Sequence, residues 1–342
     1  MKLNNINITE IKTPVVVTGA FGFIGHRIVD ALIELGITEI VAFDLPGFEI
    51  NDTWQGKVKY VAGDIANKSD VDSAMNNAGT VVHLAAMVGD WVPIELHDKV
   101  TINGSEFIFD AAVKHNARVV LSSSVVVYGD NLPNQTCDEE KEWGKSLGPY
   151  SISKQKQEKL AWEYHNNKGM KLTIIRPGTV YGPGSKPWVH DVVETLQTGV
   201  PALVSGGEFN AGLVYVDNLV QMFLLAATKD AALGQVFNGG DGSTTTWKTY
   251  MTDVAKVLNI NSIKSTPLWI VKPVSSLLES VWHLFNIKTR PPITRESLNI
   301  VCGAMLIPIS KAENLLGYNP EINYDEGKKQ VEKYILKNFA IN

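Results

Sequence analysis

An α/β fold, a Rossmann-type doubly wound parallel sheet with a smaller mixed C-terminal lobe, follows from three observations. Apolar, β-branched runs alternate with helical stretches through the first half of the chain. The first of these runs, VVVTGAFGFIG, leads into glycines spaced Gly19-x-x-Gly22-x-x-Gly25 and then an apolar helix. After Arg176 the composition shifts to proline, glycine and irregular segments.

In chain order, buried parallel strands are predicted at Val15–Thr18, Glu39–Phe43, Val58–Val61, Thr80–Leu84, Arg118–Ser122 and Leu172–Ile175, with helices over 23–35, 68–78, 90–115 and 149–168. RPGTVYGPGSKP reads as loop, GLVYVDNLV as a strand, and QVFNGG as a strand returning to the sheet edge. From Asp241 onward the chain reads as irregular and helix-rich. The expected division is residues 1–177 with 213–240 as a dinucleotide-binding unit, and 178–212 with 241–342 as a substrate-binding lobe.

Bulk properties narrow the function. With 342 residues, 44% hydrophobic and 20% charged, the chain resembles an ordinary soluble protein, and its net charge of −5 without basic blocks argues against nucleic acid as a partner. Cys137 and Cys302 form no motif, and the start of the chain carries no apolar run of signal-peptide length, so a reducing cytoplasm is expected. The seven histidines show no metal-ligand spacing, so no catalytic metal is expected. PLWIVKPVSSLLESVWHLF, residues 267–285, is interrupted by Lys272, Glu279 and His283, which argues against a membrane span. Its apolar residues recur at helical spacing, leaving three readings: a helix packed on the core, a lid over an apolar substrate, or a peripheral contact with a bilayer interface.

The glycine turn fits a dinucleotide. Gly19 allows the tight turn, Gly22 lets backbone approach a pyrophosphate, and Gly25 lets helix and strand pack closely, with Phe21, Phe23 and Ile24 completing the turn. Asp44, ending the next strand, can accept both ribose hydroxyls and would repel a 2′-phosphate, which favours NAD over NADP; the alternative is that it only opens the turn DLPG. Asp64, followed by Ile65, is placed either to bond the adenine edge or to cap the next helix. Leu84, Ala85 and Ala86 end the fourth strand in the small residues that a backbone beside a cofactor needs.

Tyr150-x-x-x-Lys154 places a phenol and an ammonium on one helical face, but Tyr164/Lys168 and Tyr324/Lys328 repeat the spacing. Only the first follows a strand that ends in Ser122, Ser123 and Ser124, at the edge where the cofactor should lie. Removing a proton from a secondary alcohol needs a base, and a tyrosine at its ordinary pKa of about 10 is too weakly ionised at neutral pH. The Lys154 ammonium and a positive nicotinamide are expected to lower it, with Ser124 holding the substrate oxygen and Ser122 and Ser123 lining the cofactor.

The pieces TGAFGFIG, GDI, HLAA, NGSEFIFDAA, SSSVVVYG, YSISK, RPGTVYGPG and YVDNLV stand in the order found in the extended short-chain dehydrogenase/reductases, which the chain resembles along nearly its whole length. The resemblance implies that Ser124, Tyr150 and Lys154 carry catalysis and that Asn103 supports a proton relay. It also implies that Pro177 and Gly178 lie against the nicotinamide, and that the protein dimerises through the helices over 90–115 and 149–168.

Departures from the family pattern bear on the branch. Val125-Val126 stand where the dehydratases carry an Asp-Glu pair, and Ala211-Gly212 where nucleotide-sugar enzymes place a diphosphate-binding arginine. YVDNLV with Asn218, the helix at 267–285 and the ending ISKAENLLGYNPEINYDEG resemble the 3β-hydroxysteroid dehydrogenase branch, which includes sterol-4α-carboxylate 3-dehydrogenases. The expectation is an NAD-dependent enzyme interconverting alcohol and ketone on an apolar small molecule. A nucleotide-sugar epimerase and a non-catalytic NAD-binding regulatory or scaffold protein are the alternatives.

Overall fold

The structure is a computed structural model that describes Leu3 and residues 6–340. Strands run as β1 (Val15–Thr18), β2 (Ile40–Asp44), β3 (Val58–Ala62), β4 (Thr80–His83), β5 (Arg118–Ser122) and β6 (Lys171–Pro177). They continue as β7 (Thr179–Tyr181), β8 (Leu203–Val204), β9 (Leu213–Tyr215), β10 (Gln235–Gly239) and β11 (Ser265–Thr266). The helices of the first half are α1 (Phe23–Glu34), α2 (Lys68–Ala74), α3 (Ile94–His97), α4 (Gly104–His115) and α5 (Pro149–Lys168). Those of the second half are α6 (Asp191–Thr198), α7 (Val216–Thr228), α8 (Trp247–Val257), α9 (Leu268–Leu284), α10 (Arg295–Val301), α11 (Ser310–Leu316) and α12 (Tyr324–Asn338).

Seven strands pair in the order β10-β6-β5-β4-β1-β2-β3, and every pairing is parallel. Parallel strands need helical crossovers, which cover both faces, so β1, β4 and the interior of β5 and β6 are buried without alternation. Strand order reverses between β1 and β4, which opens the crevice where such sheets take their ligands. QVFNGG does return to the sheet edge, as β10 beside β6.

Three elements differ from the sequence expectation. RPGTVYGPGSKP is not all loop: Arg176 and Pro177 finish β6, and β7 pairs with β9 in a small parallel sheet of its own. GLVYVDNLV is strand only to Tyr215, after which α7 begins with Asp217 in its first turn. An acid there suits the positive end of a helix, and tertiary burial accommodates an apolar run that reads equally as strand. The helix expected from residue 90 starts at Ile94, because Pro93 holds an extended backbone (φ −53°, ψ 139°), and it then runs through a wide-turn segment, Asp98–Asn103, into α4.

Helix α5 is the expected helix of 149–168, with Pro149 in its first turn and Gly169 ending it in the left-handed conformation at φ 69°. A buried ion pair holds it to the sheet: Arg176 on β6 donates from Nε and Nη2 to both Glu158 oxygens at 2.9 and 2.8 Å. The same guanidinium donates to Tyr128 Oη at 3.0 Å, and that phenol donates to Asn238 Oδ1 on β10 at 2.7 Å. Breaking a buried pair from one side leaves an uncompensated charge. Glu158→Leu should therefore cost about 3–5 kcal/mol of stability in urea unfolding, while Glu158→Leu with Arg176→Met should recover most of that loss.

Candidate active site at the carboxyl edge of the sheet

The glycine turn is as tight as its spacing predicts. Gly19 sits at φ 67°, and a Cβ on Gly25 would lie 2.1 Å from the Gly19 carbonyl oxygen, so only hydrogen fits. Asp44 performs the turn role left open for it and more. Its Oδ1 accepts from Leu45 N at 2.8 Å, and its Oδ2 accepts from Phe21 N at 2.9 Å, tying the end of β2 to the glycine turn. Phe21 stacks on Phe48 with centroids 4.7 Å apart and meets Tyr60 edge-on at 5.0 Å, building an aromatic wall beside this carboxylate. Phe23 packs against Gly182 and Gly184, just after β7, and Ile24 is half-buried.

Asp64 turns its Oδ1 to Ala66 N at 2.9 Å, while Asn67 caps α2, so its visible work is local. Ile65 is buried against Gly104 at the start of α4, which leaves it in the core. Leu84 and Ala85 donate their backbone N–H groups to Thr18 Oγ1 at 3.1 and 3.0 Å, and Ala86 follows half-buried. Pro177 closes β6, and Gly178 donates to the Gly239 carbonyl at 3.0 Å, with the Gly212 carbonyl 2.6 Å from where a Cβ would stand. The cradle lacking side chains, the carboxylate at the end of β2 and the buried Ser123 hydroxyl without a partner fit a dinucleotide laid across this edge.

At the centre, the Ser124 hydroxyl stands close enough to the Tyr150 phenol to act on its ionisation. Burial pushes the phenol up to about 12, the Ser124 hydroxyl opposes this, and the nearby Glu296 carboxylate adds to it. The lowering expected from Lys154 is absent. Its ammonium is turned to the sheet, donating to the Ser122 carbonyl and to Gln157 Oε1, both at 2.9 Å. Burial brings Lys154 down to about 8, with Glu158 opposing. The Asn103 side chain is exposed at the end of the wide-turn segment and has no hydrogen bond to another described residue.

A different buried chain extends from Lys154. Gln157 Nε2 donates to Ser105 Oγ at 2.8 Å, and Ser105 donates to the Thr101 carbonyl at 2.5 Å. Ser105 is 3.0 Å from His83 Nε2, and His83 Nδ1 is 2.8 Å from Thr18 Oγ1, which already accepts two backbone protons. Satisfying every member requires His83 to donate from Nε2 and accept at Nδ1. Burial first, and Lys154 second, push its pKa down to about 3, so the ring is neutral as that pattern needs.

The competing tyrosines are otherwise engaged. Tyr164 donates to Asp110 Oδ1 at 2.8 Å with Lys168 over its ring, and Tyr324 donates to Asp253 Oδ2 at 3.0 Å.

Sequence reasoning missed two groups. His97 is buried with its ring centroid 6.3 Å from that of Tyr150; Nε2 bonds the Gly89 carbonyl at 3.1 Å and Nδ1 has no partner. Glu296 reaches across from α10 to the start of α5, where Oε1 accepts from Ser151 N at 2.6 Å. Gly148 makes room, since a Cβ there would lie 2.1 Å from Oε2, which itself has no partner. The only hint in the sequence was the glycine before Pro149-Tyr150; nothing local joined it to a glutamate so far along the chain.

A family model described as the NAD-dependent epimerase/dehydratase family matches residues 15–240. A 3beta-hydroxysteroid-dehydrogenase/decarboxylase of Arabidopsis thaliana is 25% identical, the match covering 95% of this chain and 80% of that protein. A decarboxylating sterol-4-alpha-carboxylate 3-dehydrogenase of Schizosaccharomyces pombe is 28% identical, covering 90% and 93% respectively. Among solved structures, the UDP-glucose 4-epimerase of Thermotoga maritima, with UDP-glucose, superposes with a TM-score of 0.74 at 24% identity, covering 94% of this chain and 98% of the other.

Burial raises Glu296 from 4.5 to about 7, against the lowering effect of its bonds to Ser151. Its folded pKa lies above the unfolded one, so the stability it contributes is full below about pH 4.5 and lost as pH rises through about 7. Glu296→Gln should remove that slope. Melting temperatures taken near pH 5 and pH 8 should then differ less in the variant than in the parent. An unchanged difference would mean that another group titrates in this window.

Proposed function

The chain belongs to the NAD-dependent epimerase/dehydratase family, and we propose that it interconverts a secondary alcohol and a ketone on an apolar substrate, either 3β-hydroxysteroid-like or a 3-hydroxy or 3-oxo acid. NAD is the cofactor. The glycine turn with Phe21 to Ile24 and Asp44 would hold its adenosine and phosphate end, and Ser122, Ser123, Pro177 and Gly178 would line the other. Asp64 and Leu84 to Ala86 flank the same edge.

When bound, NAD supplies a hydride acceptor and a positive ring beside the phenol. Tyr150 takes the hydroxyl proton as the C–H bond gives up its hydride, and returns that proton in the reverse direction. Ser124, beside Tyr150, holds the substrate oxygen. Lys154 and the buried chain behind it fix the helix face and supply positive charge one turn away. With the phenol at about 12 in this arrangement, the substrate complex must favour the phenolate by several pKa units for work near neutral pH. The positive ring and a repositioned ammonium are the two available sources.

The packing at Gly212 carries the apolar assignment. A side chain there would collide with Met305, whose Sδ lies 2.0 Å from the position of a Cβ, so the place where sugar-nucleotide enzymes put an arginine is filled by a buried thioether. Val125 and Val126, buried beside the same site, stand where the dehydratases carry their Asp-Glu pair and supply neither an acid nor a base. The similarity to sterol and hydroxysteroid dehydrogenases supports the same reading. The proposal includes residues 178–212 with 241–342 as the substrate lobe. It also includes a homodimer through the helices over 90–115 and 149–168, where Leu96 and Ile152 stand exposed.

Incubated with NAD and a 3β-hydroxysteroid, the protein should produce NADH. Tyr150→Phe should lower that rate at least ~10³-fold while leaving NAD affinity within about twofold. Conversion of UDP-glucose without net redox change would instead assign the protein to the epimerase alternative. Asp44→Ser should narrow the preference for NAD over NADP, read as the ratio of kcat/KM values, because the 2′-phosphate then meets no carboxylate.

A further inference from the structure

Helix α9 is inside out. The residues it turns to the protein are Val271, Ser275 and Glu279, at 8%, 0% and 6% exposure, so two of the three are polar. Towards solvent it presents Trp269 and Leu277, with Leu284 and Phe285 at its end, exposed by 76%, 64%, 78% and 69%. A helix merely packed on a core shows the opposite pattern. A lid closing on the site from this side would have to turn its apolar face inward, and the Glu279 bonds to Arg295 N and Nε, at 2.6 and 2.5 Å, hold it outward.

We propose that α9 is an interfacial anchor that lies in the surface of an anionic lipid bilayer with this apolar face buried among the acyl chains. Charge complementarity selects the occupant. Between residues 261 and 290 the only acid is Glu279, which is buried and paired with Arg295. Lys264, Lys272 and Lys288 are exposed along the same stretch, on a chain whose net charge is −5. An apolar face with aromatic residues at both ends and lysines at its margin matches a headgroup boundary. No described helix is long and apolar enough to cross a membrane, so contact is with the surface.

The anchor also sits beside the proposed site. His283 on α9 packs against Trp91 with ring centroids 4.7 Å apart, and neighbouring Asp90 binds Arg290 at 2.5 and 2.6 Å. Helix α10, held to α9 through Arg295, sends Glu296 to the start of the helix bearing Tyr150. This deepens the reading of an apolar substrate and rests on it only for the substrate's route: the alcohol would be taken from the lipid phase next to the site.

The test is co-sedimentation of the full chain with phosphatidylcholine vesicles, alone or with about a third phosphatidylglycerol. Binding should favour the anionic vesicles, weaken with added salt, and fall about tenfold or more in Leu277→Glu/Leu284→Glu. That variant should keep the parent's melting temperature and NAD affinity. Absence of binding to either vesicle, or equal binding by the double variant, overturns the anchor. So does a dimer seen by light scattering that the same substitutions dissociate, if vesicles bind neither protein; that result assigns the face to a second copy. Vesicle binding with no steroid oxidation leaves the anchor standing and removes the substrate assignment instead.

Discussion

The buried pair of Arg176 and Glu158 is the constraint on which the site depends. Two charges withdrawn from water are tolerable only with near-ideal geometry and further hydrogen bonds, and the bidentate fork, Tyr128 and the Glu139 carbonyl give the guanidinium four. Because the requirement is strict, the rotation of α5 about its axis is fixed relative to β6. Tyr150 and Lys154 lie two turns and one turn before Glu158 on that helix, so their direction follows.

Lys154 shows the same logic at closer range. A buried ammonium must donate all it can, and with the Ser122 carbonyl and Gln157 as partners it becomes one end of a chain through Ser105 and His83 to Thr18. That chain ends on the N–H groups of Leu84 and Ala85, in the wall of the cofactor crevice. The same bonds that orient the lysine therefore also stiffen the backbone a dinucleotide would rest on. Their cost is electrostatic: an ammonium held against the sheet does little for a phenol that burial has made a weaker acid.

Glu296 adds an opposing charge from α10. At the N-terminus of a long helix a carboxylate is well placed for the macrodipole, yet beside Tyr150 it disfavours the phenolate. The seating of α10, and through Arg295 of α9, is thus felt at the phenol. Arg295 on α10 bonds Glu279 on α9, and the next residue, Glu296, bonds the first turn of α5.

Much of this was legible in the chain itself. The parallel sheet, the glycine turn and the place of Asp44 at the end of its strand rest on interactions between residues close in sequence or on strand periodicity, which local pattern records. Side-chain spacing at 267–285 likewise revealed an amphipathic helix. Its orientation was not legible, because a stripe of leucines faces in or out according to what Glu279 and Ser275 find to bind. For the same reason the start of α7 read as strand, the bonds of Lys154 to the Ser122 carbonyl and Gln157 were not foreseen, and Glu296 and His97 went unseen. Each is decided by partners far along the chain, brought together only when burial makes an unsatisfied polar group too costly to leave. The order of elements and the chemistry they carry are local properties of the sequence. Which way each charge points is a property of the packed interior, where desolvation chooses among the options that sequence leaves open.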